Sequence, residues 1–265
     1  MLGTTKTVGV RLVTFDLLHT LIAPQAPVHV LYARAFEPLL GPLDHDRIKD
    51  SFQIALRAVQ KERASYKGGN NAWWGEVIKR TALGAGGDPD KVESSLPKIV
   101  PSLLRKFSSS GGYVAFGDAL STLRYLKEDR KLKIAILSNT DSRIHQVIDA
   151  LGIKRYVDWT GLSAEMKTEK PNAEMFTRAI ARMSRLEDQP LELSECLHIG
   201  DELEKHEPFT HRYFSDYHGP KRAGMRALLL RRPGYDNNVD QGVELTNVDT
   251  IATLAELRRR FETES

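Results

Sequence analysis

The pattern of apolar positions divides the chain into a first strand, a helical stretch and a stretch in which strands and helices alternate. Residues 10–15 form a nearly continuous apolar run, which predicts a buried strand. From residue 28 to residue 107 apolar residues recur every three or four positions, which predicts four helices with Pro97 and Pro101 as bends in the last. Residues 108–112 contain only serine and glycine and predict a linker.

Beyond this linker the periodicity changes repeatedly. Apolar runs at 132–138, 156–162, 196–200 and 226–230 predict strands, and helical patterns separate several of them, at 143–151 and 172–184 for example. Such alternation predicts an α/β fold: a doubly wound, mostly parallel, Rossmann-like sheet covered by helices on both faces. The expected α/β core comprises residues 1–22 and 113–265, and residues 23–112 form an inserted helical domain.

Composition and charge narrow the classes of function. The 265 residues are 41% hydrophobic and 28% charged, as in ordinary globular proteins. The net charge of +3 comes from scattered basic residues that suit solvated helix faces, and no nucleic-acid-binding motif is present, so no nucleic-acid partner is expected. No apolar stretch is long enough to span a bilayer, so no membrane partner is expected.

The cysteine content suggests the compartment. Cys196 is the single cysteine and lies in an apolar run, so it is expected to be a core residue without a disulfide partner. An intracellular location, cytoplasmic or nuclear, follows as the expectation. The first strand begins near Val10, and a cleaved signal peptide would remove it, so none is expected.

Polar residues follow several predicted strands at the point where each strand ends. Asp16 closes the first strand, Ser138 and Asn139 close another, and Asp201 follows a third, while Lys170 precedes a helix. Each alone is compatible with a turn or a helix cap. Together they predict a site at the carboxyl ends of parallel strands, where such sheets bind ligands.

These residue types suit phosphoryl transfer. A carboxylate such as Asp16 can attack phosphorus, and Asp16 with Asp201 would supply the oxygen ligands that Mg²⁺ prefers. Lys170 and Ser138 would hold the phosphoryl oxygens, whose developing charge needs cations and hydrogen-bond donors.

Four segments carry a resemblance to a known family. Residues 15–21 (FDLLHTL), 137–139 (LSN), 169–171 (EKP) and 199–201 (IGD) resemble motifs I to IV of the haloacid dehalogenase superfamily. The helical insertion between the first two resembles the cap domain of that superfamily's first subclass. Trp73-Trp74 and the stretch from Asp216 to Pro220 resemble one of its branches.

The resemblance implies roles for individual residues. Asp16 would be the catalytic nucleophile, with Lys170 and Ser138 completing the catalytic set. Thr20 and Asn139 would join Ser138 and Lys170 in binding phosphate. The Mg²⁺ ligands would be Asp16, Asp201 and the backbone carbonyl of Leu18, with Asp216 supporting the metal site without binding the ion. Small phosphorylated metabolites are the substrate class that the resemblance implies.

Motif I departs from the superfamily pattern at one position. Family phosphatases carry a second aspartate two residues after the nucleophile, which acts as general acid and base, and here that position is Leu18. Leucine cannot transfer a proton, and such a group is typically worth ~10²–10⁴-fold in rate. His19 could replace it, but the residue next to position 18 should point in a different direction, so a histidine placed in a turn is the favoured interpretation.

Motif IV departs in its spacing. In the related branch a second acid follows the first by five positions, whereas Asp216 follows Asp201 by fifteen. Removing residues 205–214 would restore the shorter spacing, so this segment is either a genuine loop or sequence from an imperfect transcript. If the loop is genuine, it must bulge outward for Asp216 to reach the site. His206, His211 and His218 lie in or near it and suit a polar surface loop or a transition-metal site.

Three functions remain open from the sequence. The first is Mg²⁺-dependent hydrolysis of a phosphate ester through an aspartyl-phosphate, weakened by Leu18. The second is a catalytically impaired protein of the same fold that binds a phosphorylated metabolite or another protein. The third is a metal-free carbon–halogen hydrolase, which is compatible with Leu18 but leaves Asp201 without a task and lacks the tyrosine-glycine pair of that class.

Overall fold

The computed structural model describes residues 6–63, 66–202, 216–234, 245 and 247–263. The chain forms two compact units. Unit 1 contains residues 1–23, 115–142 and 151–265, and unit 2 contains residues 24–114 and 143–150. Residues 143–150, which the sequence assigned to the α/β core, group with unit 2, where the Arg143 guanidinium lies 4.8 Å from the ring centroid of Trp74.

The described part of unit 1 is built on a six-stranded sheet. Its strands are β1 (Leu12–Phe15), β4 (Lys133–Ser138), β5 (Trp159–Leu162), β6 (Cys196–Gly200), β7 (Arg226–Leu230) and β8 (Thr250–Ile251). The spatial order is β5-β4-β1-β6-β7-β8, and neighbouring strands are parallel. The predicted α/β class and the mostly parallel, Rossmann-like sheet are therefore confirmed. The chain passes between the units in β2 (Ile22–Pro24) and β3 (Tyr113–Ala115), which form a separate two-stranded sheet.

Helices connect the strands of unit 1. They are α5 (Ala119–Arg124), α7 (Ser163–Met166), α8 (Ala173–Ser184), α9 (His218–Arg222) and α10 (Leu254–Thr263). Helix α8 begins after Asn172, whose side chain accepts a hydrogen bond from the Glu174 N–H and so satisfies one exposed donor of the first turn. Its apolar face packs on the sheet: Met175, Phe176 and Met183 share a buried cluster with Leu12 and Leu137. Cys196 belongs to the same cluster, as predicted.

Unit 2 is helical. It contains α1 (Val28–Leu40), α2 (His45–Glu62), α3 (Asn70–Gly84), α4 (Pro89–Lys106) and α6 (Ile144–Ala150). The first four are the predicted helices, and α4 runs through both Pro97 and Pro101 as one element. Trp73 is buried and donates its indole N–H to the Arg63 carbonyl at 2.9 Å, so it is a packing residue. None of the described helices is long and apolar enough to cross a membrane.

Candidate active site

Asp16 lies at the carboxyl end of β1, the strand that runs between β4 and β6. Its backbone N–H donates to the Ile199 carbonyl of β6 at 2.8 Å, which continues the ladder by one residue beyond the strand. The carboxylate is buried. Asp16 is therefore held by the centre of the sheet, as expected for a group that must stay in place during a reaction.

Lys170 is the cation of the site. Its Nζ donates to Asp16 Oδ1 at 2.5 Å and to Asp216 Oδ1 at 2.6 Å, and only 2% of its side chain is exposed. Asn139, which follows β4, fixes the backbone of this lysine: its Oδ1 accepts from the Lys170 N–H at 2.8 Å, and its Nδ2 donates to the Lys170 carbonyl at 2.9 Å. In the structure Asn139 thus positions Lys170, and the phosphate contact expected of it stays a prediction.

Asp216 reaches the site despite its distance from Asp201 in the sequence. It is fully buried, and its Oδ2 accepts the Glu202 N–H at 3.0 Å while its own N–H donates to the Glu202 carbonyl at 2.9 Å. A β-carbon added at Gly200 would clash with the Asp216 carboxylate, so the approach requires glycine at that position. The segment 205–214, with His206 and His211, lies outside the described residues, and His218 begins α9.

The three aspartates form one cluster. A carboxylate oxygen from each of Asp16, Asp201 and Asp216 lies within 4.8 Å of the others. The sequence predicts that Asp216 supports the metal site without binding the ion, and that role stays a prediction. In the structure its carboxylate lies in the same group as those of Asp16 and Asp201, from which it could also bind a cation directly. Hard oxygen ligands in this arrangement fit Mg²⁺, which proteins usually hold through a few carboxylates and water molecules.

The charge in this cluster is unevenly shared. Burial raises the pKa of Asp16 to about 7, more than Lys170 lowers it. Burial, with the charges of Asp16 and Asp216, also raises the pKa of Asp201 well above its ordinary value. Burial alone would raise the pKa of Asp216, but Lys170 and a hydrogen bond from His198 hold it below the ordinary range. Lys170 therefore stabilises the ionised form of Asp216 best, whereas Asp16 and Asp201 hold their protons to higher pH.

His198 and Thr14 extend the site into the sheet. They are register partners on β6 and β1, and both are fully buried. His198 Nε2 lies 3.3 Å from Asp216 Oδ1, and its Nδ1 lies 2.8 Å from Thr14 Oγ1. Burial lowers the pKa of His198, which favours the neutral ring. Sequence reasoning placed His198 in an apolar strand and did not assign it to the site. The pair could have been found from the sequence, because Thr14 and His198 are polar residues within two otherwise apolar predicted strands.

Thr20 and Arg232 hold the loop that follows Asp16. The Thr20 hydroxyl donates to Asp201 Oδ1 at 3.3 Å, and the Thr20 carbonyl accepts from Arg232 Nη2 at 2.9 Å. Arg232 also forms a two-pronged ion pair with Asp118, at 2.8 and 3.0 Å. The Thr20 hydroxyl is thus directed at a predicted metal ligand, and its expected contact with phosphate stays a prediction. Arg232 and Asp118 were not found from the sequence.

Leu18 and His19 lie in a tight turn within the same loop. His19 has a φ of 62°, and its N–H donates to the Ile22 carbonyl at 2.6 Å. Its side chain is largely covered, and burial lowers the pKa of its ring. Leu18 is half-buried and brings no ionisable group to the site. Metal binding by the Leu18 carbonyl stays a prediction. Ser138, the last residue of β4, is buried beside the strand that carries Asp16, which leaves its phosphate role a prediction as well.

Comparison with known proteins agrees with this architecture. The haloacid dehalogenase-like hydrolase domain-containing protein 3 of Homo sapiens is 25% identical over 228 residues, which cover 84% of this chain and 83% of that protein. The glyceraldehyde 3-phosphate phosphatase of Methanopyrus kandleri is 24% identical over 245 residues, 91% of each chain. The crystal structure of the hydrolase YfnB of Bacillus subtilis bound to magnesium superposes with a TM-score of 0.65 at 18% identity, covering 96% of this chain and 99% of that one.

The family model for haloacid dehalogenase-like hydrolases matches residues 10–206. This range includes the strand that ends at Asp16, the Asn139–Lys170 pairing and the strand that precedes Asp201. The chain therefore belongs to the haloacid dehalogenase-like hydrolases.

Proposed function

We propose that this protein hydrolyses phosphate esters with Mg²⁺ as cofactor, slowly, through an aspartyl-phosphate on Asp16. The observation that carries the proposal is the buried group of Asp16, Asp201 and Asp216 around Lys170. These four side chains contain more negative than positive charge, and a divalent cation would balance it. The magnesium in YfnB and the phosphatase activity named for the Methanopyrus kandleri relative support the same choice of cofactor and reaction.

The chain's own residues supply the nucleophile and its surroundings. A carboxylate oxygen of Asp16 attacks phosphorus, the ester P–O bond breaks, and the leaving alkoxide takes a proton from water. Water then attacks the phosphorus of the aspartyl-phosphate and gives its proton to the hydroxide left by the first step, the P–O bond to Asp16 breaks, and inorganic phosphate leaves with Asp16 restored. Bound Mg²⁺ would supply positive charge to the phosphoryl oxygens. Lys170 would add its own charge there, and Ser138 a hydroxyl donor.

Leu18 explains why the proposed reaction is slow. No side chain at this position can give a proton to the leaving group or take one from the attacking water, a loss of ~10²–10⁴-fold in rate. The same observation favours the second candidate, a protein that binds a phosphorylated metabolite without turning it over. A metal-free carbon–halogen hydrolase fits less well, because a cluster of three carboxylates would repel the substrate's anionic group unless a cation balanced it.

The test is hydrolysis of a broad panel of phosphate monoesters with and without Mg²⁺. The natural protein is compared with the Leu18→Asp, Leu18→Asn and Asp16→Asn variants. Leu18→Asn is the matched control, because asparagine has the shape of aspartate but cannot transfer the proton. We expect weak Mg²⁺-dependent turnover that Asp16→Asn abolishes and that Leu18→Asp raises by ~10²-fold or more.

Each other result has a definite meaning. Activity in Leu18→Asp alone would show an intact site without its acid and would support the binding protein. Equal activity in Leu18→Asp and Leu18→Asn would contradict the role given to position 18. No turnover in any variant, together with no Mg²⁺ binding, would overturn the proposal.

A further inference from the structure

A chain of buried polar contacts leads from the acidic cluster into the interior of the sheet. Lys170 Nζ and His198 Nε2 both contact Oδ1 of Asp216, at 2.6 and 3.3 Å, and on the far side of the imidazole ring Nδ1 lies 2.8 Å from Thr14 Oγ1. His198 and Thr14 are both 0% exposed. Buried polar groups in an apolar layer are costly unless they are paired, so this arrangement needs a reason.

The contacts define the proton positions on the ring. Asp216 in its ionised form can only accept, so Nε2 must carry the hydrogen that faces it. A neutral imidazole then has a bare Nδ1, which can only accept, and the Thr14 hydroxyl is the donor within reach. The Thr14 hydroxyl has another acceptor within reach, the Leu197 carbonyl at 3.5 Å, and its shorter contact with Nδ1 favours the ring form that donates to Asp216. Register pairing of Thr14 with His198 across β1 and β6 places the two side chains on the same face of the sheet.

The ring is also held sterically. Phe176 of α8 meets it edge-on, with ring centroids 5.3 Å apart and an interplanar angle of 82°. Asp216 is fixed from the opposite side by the Glu202 N–H and by its close approach to Gly200. Every oxygen of this carboxylate therefore has a defined donor, which leaves it a single orientation relative to Lys170.

We infer that His198 and Thr14 form a positioning pair that orients Asp216 for Mg²⁺ and for Lys170, although neither residue touches the ion or the substrate. The functional consequence of this inference rests on the proposed function, because Mg²⁺ is the ion that the oriented carboxylate would bind. Partners that orient a metal ligand through a hydrogen bond typically contribute 10–100-fold to metal affinity. The pair is thus expected to set Mg²⁺ affinity rather than the chemistry at Asp16.

Two substitutions at Thr14 form the central test. Thr14→Val keeps the shape and removes the hydroxyl, whereas Thr14→Ser keeps the hydroxyl. We expect Thr14→Val to weaken Mg²⁺ binding about tenfold and Thr14→Ser to keep the Mg²⁺ affinity of the natural protein. The control is Thr81→Val in unit 2, which removes a buried hydroxyl that donates to the Val77 carbonyl at 2.7 Å. It should lower stability without changing Mg²⁺ affinity.

A second pair of variants changes the ring itself. His198→Gln can place an amide donor where Nε2 lies, and His198→Leu cannot, so we expect the leucine variant to lose up to ~100-fold in Mg²⁺ affinity and the glutamine variant to lose less. Binding is measured by calorimetric titration with MgCl₂ on the full chain, with thermal unfolding recorded for each variant. If His198→Leu does not fold, the Thr14 pair decides the question alone.

Nitrogen NMR of the His198 ring tests the inference without any activity. Its chemical shifts distinguish a protonated from a bare ring nitrogen, and we expect hydrogen on Nε2 in the natural protein and a mixture of the two forms in Thr14→Val. Hydrogen on Nδ1 in the natural protein would overturn the inference whether or not the protein hydrolyses esters. So would unchanged Mg²⁺ affinity in both Thr14→Val and His198→Leu. Absence of Mg²⁺ binding in the natural protein would instead overturn the proposed function. The NMR spectrum of the His198 ring would still test whether the ring donates to Asp216.

Discussion

Replacing the proposed nucleophile should stabilise the metal-free protein. Lys170 does not fully balance the negative charge that Asp16 and Asp201 acquire when they ionise, and burial raises the pKa of Asp16 from 3.8 to about 7. Ionising Asp16 at pH 8 therefore opposes folding. Asp16→Asn removes that charge, while its amide oxygen can still accept the hydrogen bond from Lys170 Nζ.

The magnitude follows from the pKa. A difference of about three pKa units corresponds to about 4 kcal/mol at pH 8, since each unit is worth about 1.4 kcal/mol. Because the folded-state pKa is raised, the folded protein binds more protons than the unfolded chain between pH 4 and pH 7, and stability falls as pH rises through that window. The advantage of Asp16→Asn should thus shrink to about 2 kcal/mol at pH 5.

The assay is urea and thermal unfolding of both proteins in EDTA at pH 8 and pH 5. For a chain of this size, 4 kcal/mol corresponds to a rise in Tm of roughly 10 °C. The control is Asp158→Asn, which breaks an ion pair with Lys127 at 2.6 Å and should not stabilise. Saturating Mg²⁺ should narrow the gap, because it stabilises the natural protein more than the variant.

Two results would refute this reasoning. One is an Asp16→Asn protein that is no more stable than the natural one at pH 8 without metal. The other is a stability gap of the same size at pH 5 and pH 8, since a charge effect on Asp16 must depend on pH in this range.

Three further predictions concern the geometry around the cluster. Gly200→Ala should cost about 1–3 kcal/mol in unfolding free energy and weaken Mg²⁺ binding, because the added methyl group displaces Asp216; urea unfolding and Mg²⁺ titration measure both. Arg232→Lys should lower the free energy of unfolding by about 1.5–3 kcal/mol, because lysine cannot keep both the two-pronged ion pair with Asp118 and the hydrogen bond to the Thr20 carbonyl. Thermal unfolding measures the loss. Mg²⁺ affinity should rise with pH and keep rising above pH 7, because the ion competes with protons on both Asp16 and Asp201, whose pKa values are raised. Calorimetric titration from pH 5.5 to 8.5 measures this dependence.

The first two of these substitutions have matched controls. Gly117 has open space around an added β-carbon and lacks a positive φ, so Gly117→Ala should leave stability and Mg²⁺ affinity unchanged. Arg124 pairs with Glu128 four residues along, with more than half of each side chain exposed, and Arg124→Lys should change stability by less than about 0.5 kcal/mol. A destabilisation by these controls equal to that of the site variants would contradict the specific contacts assigned to Gly200 and Arg232.

Local patterns in the sequence were sufficient for the α/β class, the helical insertion and five of the six strands of the main sheet. The central strands are short apolar runs that end in polar residues, and α8 has a helical apolar face behind an asparagine cap, so each element is encoded by its own residues. The short strands β2, β3 and β8 were not predicted, because a run of two or three residues is too short to show an alternating apolar pattern. The grouping of residues 143–150 with unit 2 depends on tertiary contacts that periodicity does not record.

The candidate site was predictable where a candidate functional residue ends a strand. Asp16, Ser138 and Asp201 follow that rule, and parallel strands bring their carboxyl ends to one edge of the sheet. Asp216 does not follow a strand, and it is fifteen positions from Asp201 in the sequence, so its place in the cluster could not be predicted from strand ends. His198 was interpreted as a residue in an apolar run, because its partner Thr14 is visible only once the register between β1 and β6 is known.

The position of β1 in the sheet also affects how the chain can fold during synthesis. β1 leaves the ribosome before the other described strands, yet it lies between β4 and β6, which begin only at Lys133 and Cys196. Its fully buried apolar residues therefore stay unpaired while the helices of residues 28–106, whose contacts are closer in sequence, can already form. A nascent chain stalled before Lys133 should expose β1 to chaperones, and the acidic cluster can assemble only after Asp216 has been synthesised.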